Sequence, residues 1–204
     1  MPTETVAAFE ASLDRLDVDR TRTTPDGFEA VLAEAARKPT IGVPLPFPEV
    51  SLPQWVETNP TPADLESAAT GVTAASLGIA DYGSVVIRAT PEPTEQVSLF
   101  PTLHVAVVRE SDVVPGMAEA FARFGPEMRD RRASAIIATG PSATADMGEL
   151  VRGVHGPREV HVVILTDESE GDGQSTADRP EGGQSTADRP EGGQSTADRP
   201  GDDQ

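Results

Sequence analysis

The sequence predicts an α/β domain in which a layered, mostly parallel sheet is flanked by helices. Short and nearly continuous apolar runs, such as SVVIR (84–88) and EVHVVIL (159–165), recur in the second half of the chain. Strands of this kind are buried on both faces, as in sheets that helices cover. Segments with apolar residues at helical spacing precede and separate these runs, which is typical of layered α/β folds.

Two helices are predicted at the start of the chain. The first has four apolar residues on one face: Val6, Phe9, Leu13 and Leu16. The second follows Asp26 and ends on the approach to Pro39. Its apolar stripe consists of Phe28, Val31, Leu32 and Ala35.

A proline-rich passage follows the second helix. Six prolines between positions 39 and 60 exclude a regular central strand or helix there. We expect this passage to wrap over the domain surface, with Phe47 and Trp55 packed as anchors. A short helix is predicted from Asp64 to Ala69.

The remaining elements are predicted from Gly71 onward, in a part of the chain that alternates apolar runs with small residues. They are a turn and a strand within 74–80, strands at 84–88 and 103–108, a helix at 116–130, and strands at 133–139 and 159–165. Four residues mark one face of the helix: Met117, Ala120, Phe121 and Phe124. Pro126 either kinks this helix or starts a new one. A hairpin within 84–108 and a short helical turn opened by Thr144 and Asp146 complete the prediction.

The C-terminal segment is a repeat. GQSTADRP occurs at 173–180, 183–190 and 193–200, with alanine as its only apolar residue. Such a segment buries too little surface to offset its ordering entropy, so disorder is predicted. The predicted organisation is therefore an N-terminal part (1–69) that belongs to the same domain as a core (70–166), followed by a disordered acidic tail (167–204).

Charge restricts the class of partner. The chain has 34 Asp and Glu against 16 Lys and Arg, a net charge of −18, and Lys38 is the only lysine. So acidic a protein is a poor nucleic-acid binder, because phosphate contacts supply most of that affinity. High acidity with almost no lysine is typical of proteins kept soluble in concentrated salt, so a halophilic source is predicted. An ordinary acidic protein from a GC-rich genome is the alternative.

Composition also restricts cofactor and location. The chain has no cysteine, which excludes disulfides and thiolate-held zinc or iron–sulfur clusters within it. The spacing of the three histidines does not indicate a metal site. No apolar run is long enough to cross a bilayer, and the N-terminus does not resemble a signal peptide. We therefore expect a cytoplasmic protein.

The stretch ATGPSATAD, 138–146, is the first candidate site. Backbone N–H groups near Gly140, with the hydroxyls of Ser142 and Thr144, are suited to hold a carboxylate or phosphate. The stretch lacks the lysine and spacing of a P-loop. Asp146 would repel an anion and is equally suited to cap a helix. The spacing thus leaves a binding loop and a structural turn both open.

The histidines divide into two groups. His155 lies between Gly153 and Gly156 in GVHGP, where glycines leave the ring accessible to a ligand. His104 and His161 lie inside apolar strands, which favours structural roles. Arg152 and Arg158 flank the GVHGP loop and are suited either to neutralise a carboxylate or to pair with neighbouring acids.

Four blocks in order resemble the LUD-domain family, in particular its lactate-utilisation protein C group (LutC/YkgG). Two are GPSATAD (140–146) and GVHGP (153–157), which match the C-terminal signature of the group. The third is ADYGS (80–84), where Tyr82 replaces the usual threonine. The fourth is LFPTLH (99–104), with Pro101 and His104 in place. The resemblance covers about residues 70–166.

This resemblance implies a fold like that of the NagB/RpiA/CoA-transferase group and a role in oxidising L-lactate to pyruvate. It also implies iron–sulfur partner proteins of the LutA/LutB kind, so clusters are expected on partners and none on this chain. The expected role is that of an accessory subunit. The alternatives are a stand-alone CoA-transferase- or isomerase-like enzyme on acyl or sugar-phosphate substrates, or a non-catalytic ligand-binding module.

The candidate residues follow from these motifs. Asp81 and His155 are the candidates for catalysis, with Asp81 as nucleophile or base or, alternatively, as a turn-capping residue. The candidate substrate- or anion-binding residues are Gly140, Ser142, Thr144, Asp146 and His155. We expect the turns at 140–146 and 153–157 to converge on one site.

Overall fold

The computed structural model describes residues 2–131, 133–146 and 149–166. It is an α/β protein with a mostly parallel central sheet flanked by helices, which confirms the predicted fold class. The tail predicted to be disordered, 167–204, lies outside the described residues.

The regular elements alternate along the chain. The strands are β1 (Asp19–Thr23), β2 (Thr40–Gly42), β3 (Thr70–Ala74), β4 (Leu77–Ile79), β5 (Ser84–Arg88), β6 (Leu103–Arg109), β7 (Val113–Val114), β8 (Ala135–Thr139), β9 (Ala143–Asp146), β10 (Glu149–Arg152) and β11 (Glu159–Leu165). The helices are α1 (Pro2–Arg15), α2 (Phe28–Ala35), α3 (Pro62–Ser67), α4 (Thr94–Leu99) and α5 (Met117–Arg131).

The central sheet has five parallel strands in the order β1-β11-β6-β3-β2. Its middle strands β6 and β11 pair over their whole length, from Glu159 opposite Leu103 to Leu165 opposite Arg109. Both are almost wholly buried, as continuous apolar strands predict. The short strand β2 lies at one edge, which is where a proline-rich segment can join a sheet.

A second sheet has the order β7-β4-β5-β8. Its β5 pairs antiparallel with β4 on one side and β8 on the other. The hairpin expected within 84–108 is therefore wrong, because β5 and β6 belong to different sheets. Instead β4 and β5 form the hairpin, with Gly83 at φ 63° in its turn. The turn and strand predicted within 74–80 correspond to residues 75–76 and to β4, whereas β3 was not predicted.

The helices cover the sheets as their apolar faces require. Helix α1 buries Val6, Phe9 and Leu13 in a core that includes residues from both sheets. Helix α2 packs Phe28 and Leu32 on the opposite face of the central sheet. The proline-rich wrap packs there too, with Phe47 buried and Trp55 half-buried in the same cluster, which confirms their expected anchoring role.

Helix α5 covers the second sheet, and Pro126 lies within it. Phe124 is 5% exposed and packs against Ile79 and Val86. Phe121, expected on the same face, is 53% exposed. The prediction was wrong for Phe121 because the buried face is completed by Ala120 and Met128, which leave this ring at the margin.

The helical turn expected at Thr144 and Asp146 is also wrong. The chain forms strand β9 there, and β9 pairs antiparallel with β10. Thr144 lies opposite Val151 in this hairpin, and facing β-branched residues favour a strand pair over a helical turn. Asp146 thus caps no helix.

Candidate functional site

The two signature turns, at 140–146 and 153–157, are in contact. The Ser142 N–H donates to the Pro157 carbonyl oxygen at 2.8 Å, and the Gly153 N–H donates to the Ser142 carbonyl oxygen at 2.9 Å. A Cβ at Gly156 would lie 3.1 Å from the Cβ of Ser142. Ser142 is therefore clamped between both ends of the GVHGP loop, and a Cβ at 156 would require the two segments to shift by a few tenths of an ångström.

These backbone hydrogen bonds use main-chain donors of the predicted anion-binding loop. The N–H groups of Ser142 and Gly153 already have carbonyl partners, so they are not open to an anion in this arrangement. The Ser142 hydroxyl makes no hydrogen bond with the residues that the structure describes. Anion binding at 140–144 therefore remains a prediction, and it depends on side-chain hydroxyls more than on main-chain donors.

The end of α1 supports the neighbouring turns. Gly83 and Gly140 both have positive φ, 63° and 68°, and both lie against Leu16 just after α1. The hydroxyls of Ser84 and Thr139 are 2.7 Å apart, which joins the two turns. Positive φ at both positions explains the glycines, because a Cβ strains this conformation.

Asp81 is exposed in the β4–β5 turn. Its N–H donates to the Pro115 carbonyl oxygen at 3.0 Å. Its carboxylate lies beside Gly116, so close that a Cβ on this glycine would be 2.9 Å from Oδ2. Gly116 immediately precedes α5, and a carboxylate near a helix N-terminus is stabilised by the helix dipole. The position of Asp81 therefore fits the structural alternative as well as the chemical one.

The three histidines have different surroundings. His104 is 2% exposed, its Nε2 lies 2.9 Å from the Thr73 hydroxyl, and burial lowers its pKa to about 4. His161 is half-buried beside the Thr21 hydroxyl at 3.0 Å, and burial lowers its pKa although Asp19 and Glu34 oppose the shift. Both are structural residues of the central sheet. His155 is exposed at the tip of its loop.

Of the two arginines that flank the GVHGP loop, Arg152 forms an ion pair with an acidic residue. Arg152 pairs with Asp17 at 3.5 Å. Arg158 is exposed, and its aliphatic stem lies where a Cβ on Gly153 would be. Glu159, the next residue, forms a two-bond pair with Arg37, which lowers the pKa of the Glu159 carboxyl.

Thr144 lies half-buried in the β9–β10 hairpin. The side chain of Asp146 falls outside the described residues, so its part in a site remains a prediction. The structure thus brings Gly140, Ser142 and the His155 loop together, at the amino end of β11. Asp81 lies instead at the start of α5.

Sequence reasoning missed a cavity at the other end of the central sheet. A space of about 420 Å³ lies beyond the carboxyl ends of β1, β6 and β11. It is lined by Thr24, Pro25, Asp26, Glu49, Arg109, Leu165 and Thr166. Crevices outside the carboxyl ends of parallel strands are the common ligand sites of open α/β sheets. The signal was Arg109, a cation at the carboxyl end of a buried apolar strand.

The described residues contain neither a metal-binding group nor a membrane-spanning helix. Within 2–131, 133–146 and 149–166, no three His, Cys, Asp or Glu side chains are grouped so as to hold a metal ion. Among the helices in this part of the chain, none is long and apolar enough to cross a membrane.

Known proteins resemble this chain in sequence. Residues 56–165 match the LUD domain family. A "Lactate utilization protein C" from Bacillus licheniformis is 37% identical over 106 residues, which are 50% of this chain and 44% of that protein. A protein of the same name from Deinococcus radiodurans is 30% identical over 128 residues, 61% of this chain and 59% of that one. The chain spans about half the length of the curated relatives it matches.

The fold also resembles a solved structure. A crystal structure of a DUF162 family protein from Deinococcus radiodurans aligns with a TM-score of 0.60. The alignment covers 81% of this chain and 98% of the other, at 21% identity. This likeness supports the fold described above.

Proposed function

This chain belongs to the LUD domain family, and from that premise we propose that it acts in L-lactate utilisation. Its role is that of an accessory subunit in the oxidation of L-lactate to pyruvate. The carrying observation is the match to relatives named lactate utilization protein C, together with the family match over residues 56–165, which contains both signature turns.

Partners supply the redox chemistry in this proposal. With no cysteine, the chain offers no thiolate to an iron–sulfur cluster, so the clusters belong to LutA/LutB-like partner proteins. The assembly is cytoplasmic, in a salt-adapted organism. Ser142 and His155 supply the contact to a partner or to a small carboxylate ligand, because the clamped loop presents an exposed imidazole on a backbone tied at both ends.

A stand-alone enzyme of the CoA-transferase-like fold is supported less well. That role requires a carboxylate free for nucleophilic or base chemistry. The candidate, Asp81, lies beside Gly116, directly before α5, where a structural role accounts for its position equally well. Fold likeness alone is weak support for a shared reaction.

Growth on L-lactate tests the proposal. Deleting the gene is expected to abolish growth on L-lactate while leaving growth on pyruvate intact, and a plasmid copy is expected to restore it. A copy with His155→Ala is expected to restore it poorly, whereas the exposed-site control Glu29→Ala restores it fully. Unchanged growth of the deletion strain, with no second gene of the family present, would rule the proposal out.

A further inference from the structure

We propose that the cavity at the carboxyl ends of β1, β6 and β11 binds a zwitterionic α-amino acid. Its volume of about 420 Å³ lies in the range of small-molecule sites. Its position beyond parallel strand ends is the one where α/β sheets bind ligands most often. The site lies away from the His155 loop, so it stands independently of the lactate proposal.

One cation and two carboxylates line this cavity. The Arg109 Nη2 pairs with Glu49 Oε1 at 2.5 Å, and the guanidinium carbon lies 5.0 Å above the ring of Phe47. Asp26 is exposed and makes no ion pair or hydrogen bond with the described residues. The lining therefore holds one internal ion pair and one further negative charge.

The bond between Arg109 and Glu49 uses only part of the guanidinium. The Nε of Arg109 is buried and has no hydrogen-bond partner among the described residues. A carboxylate bound side-on would accept from Nε and Nη2 together, and such two-bond pairs are the strong ones. A buried donor without a partner is a cost that this exchange removes.

The charges select the ligand class. A ligand carboxylate that binds Arg109 displaces Glu49, whose carboxylate is then left without a cationic partner. A simple carboxylic acid leaves Glu49 in that state, and a 2-hydroxy acid only donates a neutral hydrogen bond to it. An α-amino acid also brings an ammonium group, which can pair with Glu49 and Asp26, so Glu49 regains a cationic partner. The Thr24 hydroxyl has no partner in the described residues, and Pro25 and Leu165 offer apolar contact to a side chain.

Three ligands that differ in one group test this charge argument. The full chain is titrated by calorimetry with L-leucine, 2-hydroxy-4-methylpentanoate and 4-methylpentanoate. Because Glu49 and Arg109 are partly exposed, the ammonium group is expected to tighten binding about two- to fivefold over the hydroxyl. The unsubstituted acid is expected to bind weakest. Equal or reversed affinities of the amino and hydroxy acids, or no heat with any ligand, would overturn the proposal.

Variants locate the binding. Arg109→Gln is expected to weaken L-leucine at least tenfold. Glu49→Gln removes both the competitor for Arg109 and one of two partners for the ammonium, so it is expected to narrow the difference in affinity between the amino and hydroxy acids. Arg22→Gln is the matched control, because Arg22 forms a comparable pair with Glu110 outside the cavity lining. Should Arg109→Gln fail to fold, Asp26→Asn on the exposed rim provides the second test. If substitutions at Arg109, Glu49 and Asp26 all leave binding unchanged, the ligand binds elsewhere and the proposed site is refuted.

Discussion

Ser142 and Pro157 are joined through their backbones, with 2.8 Å between the Ser142 nitrogen and the Pro157 carbonyl oxygen. This bond ties the end of the first signature turn to the end of the second, just before β11 begins. Since the contact uses main-chain atoms, the side chain at 142 stays available while its position is set by the fold.

Changing Gly156 to valine is expected to break this junction. Its Cβ would lie 3.1 Å from the Ser142 Cβ, and the larger branches cannot fit without separating the turns. We expect a loss of about 1–3 kcal/mol in the free energy of unfolding and faster hydrogen exchange at the Ser142 amide. Ser142→Ala keeps the backbone bonds and is expected to cost less than about 0.5 kcal/mol. Equal exchange rates in wild type and Gly156→Val would contradict this account.

Gly71 in β3 tolerates no side chain. A Cβ there would lie 1.9 Å from the carbonyl oxygen of Val97 in α4, and that atom belongs to the backbone. Gly71→Ala is therefore expected to destabilise the protein by about 3 kcal/mol, measured by urea unfolding with the single tryptophan, Trp55, as reporter. Gln96→Ala, on the exposed side of α4, should remain close to wild type. A small effect at 71 would mean that α4 does not lie as close to β3 as described.

The buried His104 predicts a loss of stability in mild acid. Its pKa is about 4 in the folded protein because of burial, against about 6.5 in an unfolded chain. Below about pH 6.5 the unfolded chain therefore binds a proton that the folded protein does not. The free energy of unfolding falls by about 2 kcal/mol from this group between pH 7.5 and 5.

The comparison with His104→Gln isolates this effect. The variant keeps a polar group near the Thr73 hydroxyl but removes the titration, so its stability is expected to fall less over the same pH interval. His161 has a pKa shifted in the same direction and is present in both proteins. Parallel pH profiles for the two proteins would show that His104 does not titrate in this way.

The two neighbouring phenylalanines of α5 are expected to contribute differently to the free energy of unfolding. Phe124 is buried and Phe121 is exposed, with their centroids 5.0 Å apart. Phe124→Ala is expected to cost about 3–4 kcal/mol, whereas Phe121→Ala should cost less than about 1 kcal/mol. Thermal unfolding of both variants provides the measurement, and a larger loss at 121 would place the buried face of α5 elsewhere.

Local patterns predicted the elements with strong periodicity. The strand 159–165 and the helices around Phe9 and Phe28 follow from apolar spacing alone. The pattern failed where a short segment depends on a distant partner. Ser84–Arg88 is apolar enough for either sheet, and its place is decided by Ala135–Thr139, which lies far along the chain.

The site was predictable to a similar extent. The motifs GPS and GVHGP indicated two turns that meet, and the hydrogen bonds of Ser142 show that they do. The cavity around Arg109 was not predicted, because Glu49 comes from the proline-rich wrap and Asp26 from the turn after β1. Their meeting with Arg109 depends on the strand order, which no local pattern contains.

That order has a consequence for synthesis. Strand β1 has β11 as its neighbour in the central sheet, and Asp19 lies opposite His161. At about 5–20 residues per second on the ribosome, on the order of ten seconds or more pass between the synthesis of β1 and that of β11. Its sequence is DRTRT, without a single apolar side chain. A charged strand pairs poorly with wrong neighbours. In the nascent chain, β1 therefore stays unpaired until β11 has been synthesised.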